Sequence, residues 1–433
     1  FSSSIQGKKI MALSPRTLVI LTYYWPPSGG SGVQRWVYFS HYLKKIGWEP
    51  IVITVEAKQA AYPQQDQTLE AGIQDIEVIR TETKDPLHWY VRWIGKGNMP
   101  QGEVPRQNIL QKGAAFIRGN FYVPDARKGW VPFASSALEN ILKTKKIDWV
   151  ISTGPPHSTH LAVGGLKEKY NFRWLVDFRD PWSDLFYNQQ LYRGSIAKRK
   201  DSRLERKVLQ EADAVLTTLG GTLHDNLRSK APKQQFFALP NGFDSKAIEA
   251  YQRKNLKGEF HLVYTGLLTR NQAYPALVNA LSQIEISIPI RFSIAGQIDP
   301  EILDEINKKL PEVKLEYKGY LPHGEALALM HTADLLLNFI FEGADSQMIS
   351  GKLLEYMAIG VPVLSLGNPK SEAGRLLGKG SASAMITATD IPSIITFIRK
   401  AANQKGHWEN EFSDRQQWSR EAISERLVTE ILN

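Results

Sequence analysis

Two consecutive open α/β units, each a Rossmann-like domain and the pair facing one another across a cleft, are the fold class this sequence predicts. Three observations predict it. Short apolar strands alternate with segments of helical period, and the alternation runs through the first half of the chain and then again through the second. The first strand empties into a glycine-rich loop that opens a helix. Near the other end, residues 350–364 read as a small-residue loop, a helix and a strand in immediate succession.

Thr17-Leu-Val-Ile-Leu-Thr22 carries the unbroken apolar pattern of a strand buried on both faces. It leads into Tyr23-Tyr-Trp-Pro-Pro-Ser-Gly-Gly-Ser-Gly32, after which residues 33–46 have helical period. Gly29, Gly30 and Gly32 favour close approach of a ligand and equally suit a plain tight turn; their spacing is not the dinucleotide fingerprint. Residues 49–55 and 76–80 read as the next strands. Residues 85–130 then break the alternation, with Trp89, Tyr90, Trp93, Phe116, Phe121, Tyr122 and Trp130 set among Lys and Arg. That composition suits a membrane surface, a lipid-linked acceptor or a single-stranded nucleic acid. It suits the interior of an inserted helical subdomain just as well.

A helix over 133–145, a strand over 148–152, the loop Thr153-Gly-Pro-Pro-His157 and another helix restore the alternation. The strand over 173–177 runs into Asp177-Phe-Arg-Asp-Pro-Trp182. Polar residues at the carboxyl ends of parallel strands are where such sheets bind ligands, which makes His157, Asp177, Arg179 and Asp180 candidates for one cleft. Asp177 and Arg179 also suit a structural ion pair. A charged helix over 195–211, a strand over 214–218 and a short helix complete this half. Ala238-Leu-Pro-Asn-Gly-Phe-Asp244 has the turn chemistry of a connection.

In the second half, strands are expected at 261–265, 291–295, 313–317, 335–339, 361–365 and 384–386. Helices fall at 273–283, 300–309, 323–332, 350–359, 371–378 and 390–402, and residues 415–432 form a final amphipathic helix. The expected division is a first domain over 1–240, with the basic-aromatic insertion at about 85–130, a second over 241–410, and a closing helical segment over 411–433. Ser350 and Gly351 supply unpaired N–H groups at a helix mouth, where the dipole's positive end favours phosphate. Lys352 adds a full charge in the first turn, and Glu355 lies on the same face one turn deeper. A cation beside a carboxylate suits a diphosphate next to a sugar with vicinal hydroxyls. An ordinary surface ion pair has the same spacing.

With 433 residues, 42% of them hydrophobic and 22% charged, the composition is that of an ordinary globular protein. No apolar run approaches the length of a membrane span, and no segment has the layout of a signal peptide. Cysteine is absent, which rules out disulfides and thiolate metal sites and is compatible with the cytoplasm. The formal charge of +9 favours anionic partners, although the basic residues show no nucleic-acid reading motif.

Four pieces together carry a family resemblance: Tyr24-Trp-Pro-Pro-Ser-Gly-Gly-Ser-Gly32, Val176-Asp-Phe-Arg-Asp-Pro-Trp182, Pro240-Asn-Gly-Phe-Asp244 and Gly351-Lys-Leu-Leu-Glu-Tyr-Met-Ala-Ile-Gly-Val-Pro-Val363. In their order and spacing the chain resembles glycosyltransferases of the GT-B fold, family 4 type, especially bacterial envelope-polysaccharide enzymes. The resemblance implies a nucleotide-diphosphate-sugar donor held by the second domain. Glu355 would bind the ribose hydroxyls, and Ser350, Gly351 and Lys352 the diphosphate. Gly29, Gly30 and Gly32 would close over the donor phosphates. The implied acceptor, a saccharide or lipid-linked saccharide, would sit by Asp177, Arg179 and Asp180, with His157, Asp180 and Lys352 in catalytic roles. Retention of anomeric configuration and independence of metal and cofactor are implied too. Separately from the resemblance, the basic-aromatic stretch between Lys84 and Trp130 suggests a cytoplasmic protein in peripheral contact with an anionic membrane, and no nucleic acid is expected as a partner. The chain departs from the family at two places. Gln347 stands where many relatives carry a second Glu, and Arg270 is the nearest cation after the second domain's first strand. An epimerase or hydrolase of the same fold, or a weakly catalytic sugar-nucleotide-binding partner protein, are the alternative functions.

Overall fold

The structure is a computed structural model describing residues 16–60, 62, 65–66, 69–70, 73–84, 109–184, 191–218, 220–254, 258–341, 349, 351–413 and 415–433. Its first half comprises β1 (Arg16–Leu21), α1 (Ser31–Lys45), β2 (Trp48–Val55), β3 (Glu77–Thr81), α2 (Ile109–Phe121) and α3 (Val131–Thr144). There follow β4 (Trp149–Gly154), α4 (Leu161–Lys167), β5 (Arg173–Phe178), α5 (Ser195–Glu211), β6 (Ala214–Thr217), α6 (Thr222–Lys230) and β7 (Gln235–Ala238). After α7 (Ser245–Glu249), the second half runs β8 (Phe260–Thr265), α8 (Tyr274–Gln283), β9 (Ile290–Ala295), α9 (Pro300–Lys309), β10 (Lys314–Tyr317) and α10 (His323–Met330). It ends with β11 (Leu335–Phe339), α11 (Gly351–Ile359), β12 (Val363–Leu366), α12 (Glu372–Leu377), β13 (Ser383–Ile386), α13 (Ile391–Asn403) and α14 (Arg420–Arg426).

The strands form two parallel sheets, ordered β3-β2-β1-β4-β5-β6-β7 and β10-β9-β8-β11-β12-β13. Side chains alternate across each strand, so β1 feeds two cores. Val19 and Leu21 pack with Val150, Val176 and Trp174 on one face. Leu18 and Ile20 pack with Trp36, Val52 and Trp149 on the other. Each sheet reverses its strand order beside its first strand, between β1 and β4 and between β8 and β11. Reversals of this kind open a crevice at the carboxyl ends of the strands. The expected α/β architecture of two Rossmann-like units is therefore present.

Three local differences from the sequence reading have physical causes. β12 starts at Val363 because Pro362 has no N–H to donate, although its carbonyl still accepts from Leu336 N at 2.9 Å. β7 is a strand the sequence reading did not include, a short, partly exposed edge strand with no apolar alternation. The closing segment is not one helix. A 3₁₀ turn at Arg415–Trp418 gives way to α14, whose Ser419 cap accepts from Ala422 N at 3.2 Å, and a π turn spans Leu427–Leu432.

That closing segment returns to the first sheet. Ile423, Leu427, Ile431 and Leu432 are buried against Trp36, Trp48 and Trp149, each contributing about 1.5–3 kcal/mol. Trp149 Nε1 donates to the carbonyl of Leu432 at 3.0 Å. Where the segment crosses over, Phe243 N donates to Trp418 O at 3.1 Å and Arg420 N to Phe243 O at 2.8 Å. The chain thus passes between the sheets twice, side by side.

Candidate active site

Between the sheets lies a cleft of about 430 Å³, walled by Gly30, Gln34 and Arg35 on one side and by Thr265, Gly266, Gly296, Lys352 and Glu355 on the other. Its floor is built from close-packed loops. Gly266 and Gly296 both have positive φ, and a Cβ on Gly296 would sit 2.1 Å from Gly266 O. Only glycine allows the ends of β8 and β9 to meet so tightly.

Helix α11 opens onto this floor. Tyr356 secures it to β8, its hydroxyl accepting from Thr265 N at 3.1 Å. Lys352, on the first turn, donates to Thr265 O at 3.0 Å and lies 3.8 Å from the Tyr264 ring centroid. Among the described residues no carboxylate pairs with it, and burial pushes its ammonium down to about 7. Glu355 is buried, and its Oε1 lies 2.8 Å from His323 Nε2 at the start of α10. Its second oxygen takes no hydrogen bond within the described residues. Gly351, Lys352 and Glu355 are thus brought together as expected. Gln347 and Ser350 lie outside the described residues.

Other expected positions prove different. Gly30 lines the cleft with φ of 101° and nothing within 4 Å of where a Cβ would be. Gly32 instead makes room for Arg179, whose Nη1 would lie 1.6 Å from a Cβ there. Gly29 packs against Asp66. Arg179 donates to Gly154 O at 3.0 Å and Pro155 O at 2.7 Å, a brace for the loop rather than part of the cleft lining. Asp177 is completely buried, accepting from Arg35 at 3.1 Å, Trp36 Nε1 at 2.7 Å and Thr153 Oγ1 at 2.8 Å. With every oxygen engaged, it is a structural anchor and not an acceptor contact.

His157 and Asp180 do not line the cleft either. The His157 ring is stacked on Trp182 at 5.2 Å and on Phe178 at 5.6 Å, with Nε2 3.1 Å from Pro181 O. Burial pushes this imidazole down to about 4, so it is neutral at physiological pH. Burial raises the Asp180 carboxyl, with the Arg179 charge opposing. Arg270 turns away to the start of α9, paired with Asp299 at 3.4 Å and with Glu301.

The sequence reading missed several wall residues. Arg35 ties Asp177 to the carbonyls of Leu239 and Pro240, both at 2.9 Å. Arg420 reaches Gln34 Oε1 at 2.9 Å and stacks 3.7 Å from the Tyr38 ring. Tyr320 stands at the rim, where burial and the charge of Asp66 raise its hydroxyl. One cue was visible for Arg35, a lone arginine within an apolar helical run.

Two facing parallel sheets with a helix mouth in the cleft between them are the arrangement of the GT-B fold. Residues 259–401 match the family described as Glycosyl transferases group 1. Among solved structures it is similar to sucrose-phosphate synthase from Thermosynechococcus elongatus, with 14% identity, a TM-score of 0.60 and coverage of 95% of this chain and 97% of that one. TarM gives 11% identity, 0.61, and 96% and 99%. Anabaena HepE in complex with UDP gives 11%, 0.58, and 96% and 99%. No curated protein matches the chain.

Proposed function

We propose that this enzyme transfers a sugar from a nucleoside-diphosphate sugar to a saccharide or lipid-linked saccharide acceptor, with retention and without metal, in assembling a cell-envelope polysaccharide. The observation that carries the reading is the α11 mouth, where Lys352 and the His323-backed Glu355 face one cleft. HepE structures hold UDP and UDP-glucose, which supports a donor of that chemistry. A lipopolysaccharide outer core galactosyltransferase, WaaB, shares the fold at 12% identity and a TM-score of 0.55, in keeping with an envelope role.

In this reading the diphosphate meets the first turn of α11 and Lys352, while the open oxygen of Glu355 accepts from ribose hydroxyls. As the glycosidic bond breaks, the leaving diphosphate gathers negative charge. Donors already aimed at that charge stabilise it most in the transition state. Losing one such donor raises the barrier by about 3 kcal/mol. Closure of the cleft excludes water, which would otherwise take the sugar.

Incubation with a panel of nucleoside-diphosphate sugars, with and without oligosaccharide acceptors, tests this. Acceptor-dependent release of nucleoside diphosphate supports transfer. Release that ignores acceptor would indicate a hydrolase, and an isomeric donor with no release an epimerase.

A further inference from the structure

We infer that α2 and the first turns of α5 form a docking surface for an anionic lipid bilayer, separate from the donor cleft. Helix α2 is packed inside out. Its small residues, Ala115 and Gly119, face inward, and a Cβ on Gly119 would meet Leu191 O at 2.2 Å. Three bulky ones face solvent, Phe116, Ile117 and Phe121 being exposed by 50%, 54% and 66%. Asn120 extends this face to α5, donating to Tyr192 O at 3.1 Å and accepting from Gly194 N at 2.8 Å. Tyr192 and Ile196 continue it at 48% and 82% exposure. Among the described residues, these are five of the nine bulky apolar side chains left exposed, so the apolar surface is concentrated here.

The charge beside it is one-sided. The acids in the first three turns of α5 point inward. Asp201 pairs with Arg193 and accepts from Trp182 Nε1 at 2.7 Å, and Glu205 pairs with Lys230 at 2.8 Å. Outward stand Lys198, Arg199, Lys200, Arg203 and Arg206, and α2 carries no acid at all. Apolar side chains beside cations that make no ion pair among the described residues suit a headgroup layer over acyl chains. A nucleic acid would use the cations but leave Ile117 and Ile196 in water. The surface adjoins the loop after β4, because Asp125, just beyond α2, accepts from Ser158 N and Oγ at 2.8 Å each. Trp89 and Trp93, the anchors suggested by the sequence, lie outside the described residues, and Trp130 is fully buried.

Sedimentation with vesicles of phosphatidylcholine, with and without phosphatidylglycerol, tests the surface. Binding should require phosphatidylglycerol and weaken as salt rises. The double variant Phe116→Ser/Ile117→Ser should lower partitioning about tenfold or more. Lys198→Gln/Lys200→Gln should lower it about 25-fold, at roughly fivefold per cation. Both variants should bind nucleoside diphosphate as the parent does, which separates a failed surface from a failed donor site or a failed fold. The inference is overturned by absent phosphatidylglycerol dependence, by variants that partition like the parent, or by an equal loss in Lys308→Gln/Lys309→Gln on the other sheet. Tight single-stranded RNA binding that the cation variant loses, with vesicle binding intact, would equally overturn it.

Discussion

Raising the pH from 7 to 8 should weaken nucleoside-diphosphate binding about fivefold, and a further unit about tenfold, because of one side chain. Burial beside the Tyr264 ring, with no carboxylate partner among the described residues, holds Lys352 at about 7 in the free protein. A diphosphate arriving at the mouth of α11 supplies the missing negative charge, so the bound state favours the ammonium. The complex therefore carries more protons than the free protein, and linkage makes affinity fall as pH rises between the two values. At pH 8 roughly nine-tenths of free Lys352 is neutral, so binding takes up close to one proton. Titration calorimetry in two buffers of different ionisation enthalpy measures that uptake directly. Lys352→Arg stays charged throughout and should bind with a flat pH dependence. No proton uptake by the parent at pH 8, or an equal slope in Lys352→Arg, would refute the reasoning. The same group acts on folding in the opposite sense. Its folded value lies below its unfolded one, so its contribution raises stability with pH between about 7 and about 10.4.

His323→Ala should weaken nucleoside-diphosphate binding by about 1.5–3 kcal/mol by releasing Glu355 Oε1, with partial recovery in His323→Asn; fluorescence or calorimetric titration reports it. Arg35→Ala leaves the Asp177 carboxylate buried without its cation and should destabilise the fold by about 3–5 kcal/mol in urea titration, and a loss below about 1 kcal/mol would contradict that role. Gly32→Ala drives a methyl into the Arg179 guanidinium and should cost about 1–3 kcal/mol in the same assay. EDTA should leave turnover unchanged, and a rate that returns only with added Mn²⁺ or Mg²⁺ would end the metal-free proposal.

What the sequence disclosed followed the range of the interaction. Strand and helix alternation is local, so the two sheets were legible. Lys352 and Glu355 stand three residues apart on one helix, and their shared face follows from that spacing. Arg35 and Asp177 are 142 positions apart, and Arg420 and Gln34 386 apart, so no local pattern joins them. His157 was correctly placed after a strand end, but the rings of Phe178 and Trp182 decided which way its side chain turned. Gly32 was read as space for a ligand or as part of a tight turn, and the space belongs to Arg179. A glycine records that something comes close and not what it is.

The paired crossing of Phe243 and Trp418–Arg420 sets the mechanics of the cleft. A single connecting strand would let the two halves swivel, slide and twist. Two strands bonded through Phe243 remove most of those freedoms and leave chiefly one, an opening about the line they share. Arg420 and Gln34 lie on that line and also in the cleft wall, where motion is least. The α11 mouth and Gly30 lie on opposing faces, so a modest rotation about the shared line changes the gap between them. The tail that completes the first core is thereby also the part that gives the enzyme an axis.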